Sequence, residues 1–354
     1  MVLLASVFPG PVQAAEEPAI DLASLLERAD EIEIELRSRA EYEAALESYR
    51  ELLGDIAALD RSDLGRADEI DLGLLESHLE LQAYEIETLR LHEVVPVTYF
   101  ALGTTDSLFV RPCAQPDSVV AEAVEELERL PEILANAREN LTRPARTWTE
   151  NAIYQAFYAE LLLDEMLPTA CVDDPELEAR LLEAGSGALE AVRSFAAWLE
   201  SDLLPRSDRS PAWKPEEIEF YQFVHERLDD YGVDEMLAIA ERDETETLAA
   251  MEALADRIHP SGDLETVWEL MKEEAPPWDE VPAMAARYVE LADDWLRGPG
   301  AHLLTIPEAF DYGVVLTSPM GRRTLSFGGA EYGPTLAGRI SGYYVLTPLE
   351  ERLT

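Results

Sequence analysis

Residues 118–167 read SVVAEAVEELERLPEILANARENLTRPARTWTENAIYQAFYAELLLDEML, and this stretch decides the fold class. Its apolar side chains recur at the three- and four-residue steps of an amphipathic helix. Two helices are predicted, over 118–140 and 147–167, because Pro144 precedes the second and Pro168 follows it. The stretch therefore indicates two consecutive helices joined by a short connection.

The same periodicity extends in both directions and covers most of the chain from Pro18 to Arg297. Residues 103–117 interrupt it, because they are rich in Gly, Thr, Pro and Asp and are predicted to form a loop. No fixed-period repeat is strong enough to indicate a solenoid. The remaining helices are predicted over 22–36, 42–53, 70–89, 175–202, 215–231, 234–258, 264–274 and 281–296.

After Arg297 the sequence becomes rich in glycine, with β-prone runs at 314–316, 323–327 and 343–346. We therefore predict a mainly α fold, in which a large helical array carries a small glycine-rich β-sheet at its carboxyl-terminal end. Residues 16–297 are assigned to the helical domain and 298–354 to a small β-containing segment of the same domain.

The net charge is extreme, since 73 acidic residues stand against 27 Lys and Arg and give −46. Such a surface repels phosphates, so nucleic acids are excluded as partners and anionic membrane surfaces are disfavoured. No apolar run is long enough to span a bilayer. The charge favours adaptation to high salt, where counterions screen self-repulsion. An acidic protein from an organism with a GC-rich genome is the other interpretation.

The first residues resemble a shortened secretory signal. An apolar run over 2–8 is broken by Pro9 and Gly10, and 12–14 (Val-Gln-Ala) offers a small-residue cleavage site. Residues 1–15 are therefore interpreted as a residual signal peptide of a periplasmic or secreted protein, with a disordered amino terminus as the alternative. Cys113 and Cys171 either form one disulfide or are two unrelated thiols, and the sequence leaves both open.

Candidate metal ligands are few. His225 and Asp229 lie four residues apart on one predicted helical face, but no third ligand is evident, so no metal site is assigned. His92-Glu93 continues into Val94-Val95-Pro96 and is interpreted as structural. The many carboxylate pairs are most simply solvated helix faces. No catalytic residue is assigned on this basis.

Several stretches, in this order, resemble the bacterial family called Domain of Unknown Function 885. The most recognisable is Arg129-Leu130-Pro131-x-x-Leu134-x-x-Ala137-Arg138-x-Asn140-Leu141. The others are Asp71-x-x-Leu74-Leu75, Pro96-x-x-Tyr99, Ala197-Trp198-Leu199 with Leu204-Pro205, Glu246 to Ile258, Tyr332-x-Pro334, and Gly342-Tyr343-Tyr344-Val345.

The resemblance implies a helical metallopeptidase-like enzyme of the gluzincin type, in which H-E-x-x-H binds zinc and supplies a general base. The 354 residues contain no H-E-x-x-H, so zinc is expected only in a full-length homologue. The chain is therefore interpreted as the amino-terminal, non-catalytic portion of an exported zinc-dependent peptidase or hydrolase. The alternative is a complete helical binding protein on the same scaffold without catalytic activity.

The resemblance also places the strand of Tyr343 and Tyr344 beside the substrate groove of the intact protein. A peptide is the substrate that it implies. An exposed strand edge at this place would pair with an extended peptide. Tyr343 and Tyr344 are the candidate substrate-binding residues, and they should point to opposite sides of the strand.

Overall fold

A computed structural model describes residues 21–62, 64–110, 113, 115–210, 213–220, 231–304, 306, 310–317, 328–334 and 340–348. The predicted signal peptide, His225, Asp229 and the strand predicted over 323–327 lie outside these residues. Within them the α-helices are α1 (Leu22–Asp30), α2 (Arg39–Ala58), α3 (Arg66–Tyr84), α4 (Leu91–Val94), α5 (Gly103–Val110), α6 (Asp117–Asn140), α7 (Arg146–Leu161), α8 (Pro175–Trp198), α9 (Pro215–Phe220), α10 (Val233–Ile258), α11 (Leu264–Glu274) and α12 (Val281–Arg297).

The main core forms where α6 packs against α8, with α5 and α7 beside them. Its members recur at helical spacing along α6, so that one face of this helix is completely enclosed. Phe195 of α8 is fully buried against Phe100 and Trp198. The fully buried leucines of α6 are Leu127, Leu130 and Leu134. The mainly α class predicted from the sequence is thereby confirmed.

A second, smaller core lies between α1, α2 and α3, where Leu25, Leu52, Ile56 and Leu79 are buried. α2 begins with a capping box, in which the backbone N–H of Glu41 donates to Ser38 Oγ and that of Ser38 donates to the Glu41 carboxylate. Each of these bonds satisfies a backbone donor that the helix start leaves unpaired. The predicted helix over 22–36 is shorter than expected, since α1 ends at Asp30.

Side chains of α6 tie the two cores together. Arg129 forms an ion pair with Glu35 at 3.0 Å. The amides of Asn136 and Asn140 donate to the backbone carbonyls of Leu36 and Arg37, at 2.9 and 2.7 Å. These bonds fix the connection between α1 and α2 against the main core, including the left-handed backbone of Arg37 (φ 54°).

The prediction of a loop over 103–117 is wrong, because α5 occupies Gly103–Val110. The carboxylate of Glu126, on α6, accepts hydrogen bonds from the backbone N–H groups of Thr104 and Thr105 and from the Thr105 hydroxyl. The Glu126 carboxylate thus caps the start of α5 from another helix, because the sequence next to α5 provides no cap of its own. Leu108 anchors the helix by burial in the main core.

Two predicted helices end differently from expectation, and proline is the common cause. The helices over 147–167 and 175–202 each pass from α geometry into one π turn, Leu162–Met166 and Leu199–Leu203. Each then closes with a 3-10 turn containing Leu-Pro. Because proline has no backbone N–H to donate, the α ladder cannot continue through it.

A disulfide joins Cys113 to Cys171, with 4.9 Å between the Cα atoms. It links the segment after α5 to the segment before α8, so it closes a covalent loop around α6 and α7. Disulfides of this kind persist mainly in oxidising compartments.

The carboxyl-terminal part contains a three-stranded sheet of β1 (Phe310–Leu316), β2 (Gly328–Pro334) and β3 (Ile340–Leu346). β3 lies in the middle, parallel to β1 and antiparallel to β2. The small sheet at the carboxyl-terminal end is therefore confirmed. No helix in the described part of the chain is both long and apolar enough to cross a bilayer.

Candidate functional site: a groove between α12 and β3

An open groove of about 390 Å³ separates α12 from β3. The helix contributes Met284, Ala285, Tyr288, Val289 and Ala292 to its lining, and the strand contributes Tyr344 and Leu346. The small side chains Ala285 and Ala292 leave the space between the two elements unfilled. The groove is almost wholly apolar, so an apolar group is what it would accept.

Polar contacts at the other end of α12 hold the helix against the sheet. The Nε–H of Arg297 is shared between the two carboxylate oxygens of Asp293, each 2.8 Å from Nε, and the carboxylate accepts a further hydrogen bond from Tyr312 of β1. The hydrogen bond with Arg297 is the main reason that the pKa of Asp293 is lowered. The same carboxylate raises the pKa of the Tyr312 phenol. These charges fix the orientation of the helix without entering the groove.

The strand places Tyr343 and Tyr344 on opposite faces of the sheet. Tyr344 lines the groove and is 41% exposed, whereas Val345 beside it is fully buried on the other face. Tyr343 does not line the groove; its ring lies against Gly313 of β1, 3.9 Å from where a Cβ would stand. Of the two candidate residues, only Tyr344 is therefore at the groove.

The expectation of an exposed edge at this strand is wrong. β3 pairs along its full length with β1 on one side and with β2 on the other. Its backbone groups are engaged in the sheet and cannot pair with a peptide. At the end of the sheet the buried hydroxyls of Thr317 and Thr347 lie 2.8 Å apart, and the Thr317 N–H donates to the Leu346 carbonyl.

His92 and Glu93, which the sequence indicated as structural, lie far from the groove in chain position, on α4, which packs against α6. The His92 ring is buried and stacks on Tyr42, with 4.4 Å between ring centroids. Burial is the main reason that the pKa of His92 is lowered. Nearby, Asn140 donates to the Tyr99 hydroxyl, which donates to the His92 carbonyl at 2.6 Å.

A second cavity, also of about 390 Å³, opens between α1 and α2. Its lining includes the acidic residues Glu31, Glu33 and Glu51 among small and apolar ones, and Arg28 forms ion pairs with Glu51 and Asp55.

No three or more His, Cys, Asp or Glu side chains converge on one point within the described ranges in a way that could hold a metal ion.

The sequence profile of a family described as "Bacterial protein of unknown function (DUF885)" matches residues 24–353. The chain belongs to this family. No curated protein matches the sequence. Within the DUF885 fold, the residues that carry the resemblance hold helices together: Arg129 and Asn140 fix the α1–α2 connection, and the guanidinium of Arg138 lies over the ring of Trp198, 5.9 Å from its centroid.

Among solved structures, the chain is similar to a protein described as a putative lipoprotein of unknown function from Shewanella oneidensis. The TM-score is 0.60 and the sequence identity 16%. The likeness covers 93% of this chain and 62% of that chain, so this DUF885 chain spans less than two thirds of the length of its neighbour. At this identity the comparison shows a shared fold.

The sequence did not indicate the helix side of the groove. Met284 and Tyr288 lie on a predicted helix with clear apolar periodicity, but periodicity alone gives no information on which apolar face stays open. Strand alternation and the family resemblance indicated Tyr343 and Tyr344 equally, and Tyr344 is the one of the two that lines this groove.

Proposed function

We propose that this DUF885 chain is the amino-terminal, non-catalytic portion of an exported zinc-dependent peptidase or hydrolase. The observation that carries the proposal is the open apolar groove between α12 and β3, lined by Tyr344. It provides one wall of a cleft that would hold an apolar side chain of a peptide substrate. Hydrolysis would require zinc ligands and a general base from outside these 354 residues.

Export is supported by two observations. The disulfide between Cys113 and Cys171 is of the kind that oxidising compartments maintain. The structural neighbour from Shewanella oneidensis is described as a lipoprotein. Both support the proposal that the protein functions in the periplasm or outside the cell, as do the signal-like residues 1–15.

The test compares the 354-residue chain with the product of the complete open reading frame. Bound zinc is measured by elemental analysis, and hydrolysis is measured with quenched fluorescent peptides that vary in one apolar side chain. The expected result is stoichiometric zinc and hydrolysis in the longer product, and neither in the 354-residue chain. Zinc-dependent hydrolysis by the 354 residues alone would contradict the proposal.

Tyr344→Ala, made in the longer product, tests the groove. Loss of one apolar wall should raise KM by about tenfold, corresponding to roughly 1.4 kcal/mol of binding free energy. Tyr343→Ala is the matched control, because this ring lies on the opposite face of the same strand. Equal increases in KM in the two variants would contradict a role of the groove in substrate binding.

A second candidate is a complete helical binding protein without catalytic activity. It is favoured by the closed cores of α1–α8, which bury their own apolar residues. A stop codon directly after Thr354, together with a monodisperse chain that unfolds in one cooperative transition, would support this candidate over the first.

A further inference from the structure

The two helical cores of the bundle meet along a joint that is rich in polar contacts. The core of α1–α3 and the main core around α6 bury separate sets of apolar residues. The contacts that join them include the ion pair between Arg129 and Glu35 and the hydrogen bonds from Asn136 and Asn140 to the α1–α2 connection. Apolar burial stabilises each core from within, whereas exposed ion pairs contribute little. We therefore expect the joint to open more readily than either core.

The α1–α3 unit is small, since it spans only residues 21–89. A chain of this size is marginally stable by itself, because it buries a small fraction of its surface. It continues into the main core at Arg90, which has a left-handed backbone (φ 52°), as has Arg37 in the α1–α2 connection (φ 54°). This conformation is unfavourable for a residue other than glycine, so contacts at the joint must hold it. Loss of those contacts should allow α1–α3 to open as one unit.

His92 contacts both sides of the joint. Its ring stacks on Tyr42 of α2, with 4.4 Å between the ring centroids, and its side chain is only 8% exposed. Its backbone carbonyl accepts a hydrogen bond from the hydroxyl of Tyr99, a residue that is completely buried in the main core. The same hydroxyl accepts a hydrogen bond from Asn140 of α6. The position of His92 therefore depends on α2 and on the main core together.

The closed joint accommodates a neutral His92 better than a charged one. Nδ1 of the ring is buried and has no hydrogen-bond partner among the described residues. Nε2 lies 3.7 Å from Oε1 of Glu93, which is beyond hydrogen-bonding distance. A neutral imidazole donates from one nitrogen and an imidazolium from both, so protonation would leave a buried N–H without an acceptor. Burial is the main reason that the pKa of His92 is lowered; Glu93 raises this pKa, and Arg90 and Arg39 lower it further.

We propose that His92 is a pH-sensitive switch that holds the α1–α3 unit against the main core when neutral and releases it when protonated. Once the joint opens, water solvates the imidazolium, and no buried donor is left unpaired. The open form therefore binds the proton more tightly, and a falling pH increases its population. The switch requires neither the groove nor hydrolysis. The titratable and charged groups that face His92 are Tyr42 and Arg39 of α2, Arg90 and Glu93 of its own segment and Tyr99 of the following 3-10 turn, and α6 contributes the neutral amide of Asn140.

The test measures native-state amide hydrogen exchange of the 354-residue chain at pH 7.5 and 5.5, with each rate divided by the intrinsic exchange rate at that pH. If α1–α3 open as a unit, the slowest amides of α2 and α3 share one opening constant, at least about tenfold larger than that of α6–α8. Because a solvated imidazole has a pKa of about 6.5, this constant should rise by up to about tenfold between pH 7.5 and 5.5.

Three variants test whether His92 is the titrating group. His92→Phe keeps an aromatic ring beside Tyr42 and should remove the pH dependence of the opening constant. His92→Gln should also remove it, and should raise the opening constant at both pH values because the ring stack is lost. His78→Gln, at an exposed position of α3, is the matched control and should keep the pH dependence of the unsubstituted chain.

Equal opening constants in α2–α3 and in α6–α8 would overturn the proposal, because the two cores would then unfold only together. A constant in the unsubstituted chain that does not change between the two pH values would overturn it as well. The same holds for a pH dependence that persists in both His92 variants, since another group would then be responsible.

Discussion

The bundle formed by residues 21–210 and the carboxyl-terminal region formed by residues 231–348 are built from similar amphipathic helices, yet they differ in what happens to their apolar side chains. Among the residues that the structure describes in these two ranges, forty buried apolar residues belong to the bundle, and four, Ala255, Val267, Val345 and Leu346, to the carboxyl-terminal region. Of the same described residues, six large apolar side chains are exposed in the bundle, against fifteen in the shorter carboxyl-terminal region.

The difference shows that amphipathic periodicity and burial are separate properties. Each helix of the bundle finds a partner within the same stretch of chain, as α6 does in α8. α12 has an equally regular apolar face, but nothing within the described residues covers it. The free energy of unfolding should therefore come mainly from contacts within the bundle, and the following predictions test this.

The largest effect is expected from removing the disulfide. Cys113→Ser with Cys171→Ser frees a loop with a sequence separation of 58, which on the chain-entropy model lowers the free energy of unfolding by roughly 4 kcal/mol. Urea unfolding measures the loss. Hydrogen exchange should accelerate in α6–α8 and stay unchanged in α10–α12. Equal acceleration in both regions would show that they unfold as one unit.

Truncation of a single leucine in each region makes the comparison direct. Leu130→Ala empties a fully buried site in α6 and should lower the free energy of unfolding by about 3 kcal/mol. Leu291→Ala removes a half-exposed side chain from α12 and should change it by less than about 0.5 kcal/mol. If urea unfolding gives similar losses, α12 is covered in solution even in the 354-residue chain.

Mild acid should weaken the bundle through His92. Burial lowers the pKa of His92 in the folded protein. As the pH falls below about 6.5, the imidazole is therefore protonated in the unfolded chain before it is protonated in the folded one. The contribution of neutral His92 to the free energy of unfolding is therefore fully present above that pH and is lost as the pH falls towards the pKa of His92 in the folded protein. The groups facing the ring are Tyr42, Glu93, Arg90 and Arg39.

The measurement is the slope of unfolding free energy against pH, between about 7.5 and 5.5, where most carboxylates stay ionised. His92→Gln should flatten this slope. His78→Gln, at an exposed position of α3, should leave it as it is. An unchanged slope in His92→Gln would mean that the imidazole is already solvated.

The smallest effect on stability is expected from alanine substitutions at two glycines of α8. A Cβ added at Gly187 would have open space around it, so Gly187→Ala should stabilise the protein by about 0.5–1 kcal/mol through helix propensity. A Cβ at Gly185 would lie 2.2 Å from Leu167 Cδ2, so Gly185→Ala should lose this gain or reverse it. Thermal unfolding of both variants measures the difference. Equal gains would show that the bundle core can rearrange around Leu167.

The local sequence was sufficient to predict an element wherever that element contains its own capping residue and its own apolar periodicity. α11 occupies Leu264–Glu274 as predicted, because Asp263 caps it and its apolar residues are periodic. α5 could not be predicted in this way, since its cap comes from Glu126 on another helix. β2 was not expected as a whole strand, because it has three glycines in seven residues and depends on β3 for pairing.

The candidate site was predictable only in part. Alternation along the strand and the family resemblance indicated Tyr343 and Tyr344 but did not tell which of the two lies at the groove. The central position of β3 follows from pairings between distant segments, which no local signal encodes. The helix residues of the groove depend on where α12 lies against the sheet, and this position is fixed by the long-range contact between Asp293 and Tyr312.

The strand order β1-β3-β2 also has a consequence for how the chain folds as it leaves the ribosome. β1 and β2 are synthesised first, but neither pairs with the other in the described sheet, and both wait for β3 between them. The bundle can fold while this region is still being made, since domains generally form in order of synthesis. The sheet, in contrast, cannot form before Ile340–Leu346 has been synthesised, because this strand provides the pairing partner of both other strands.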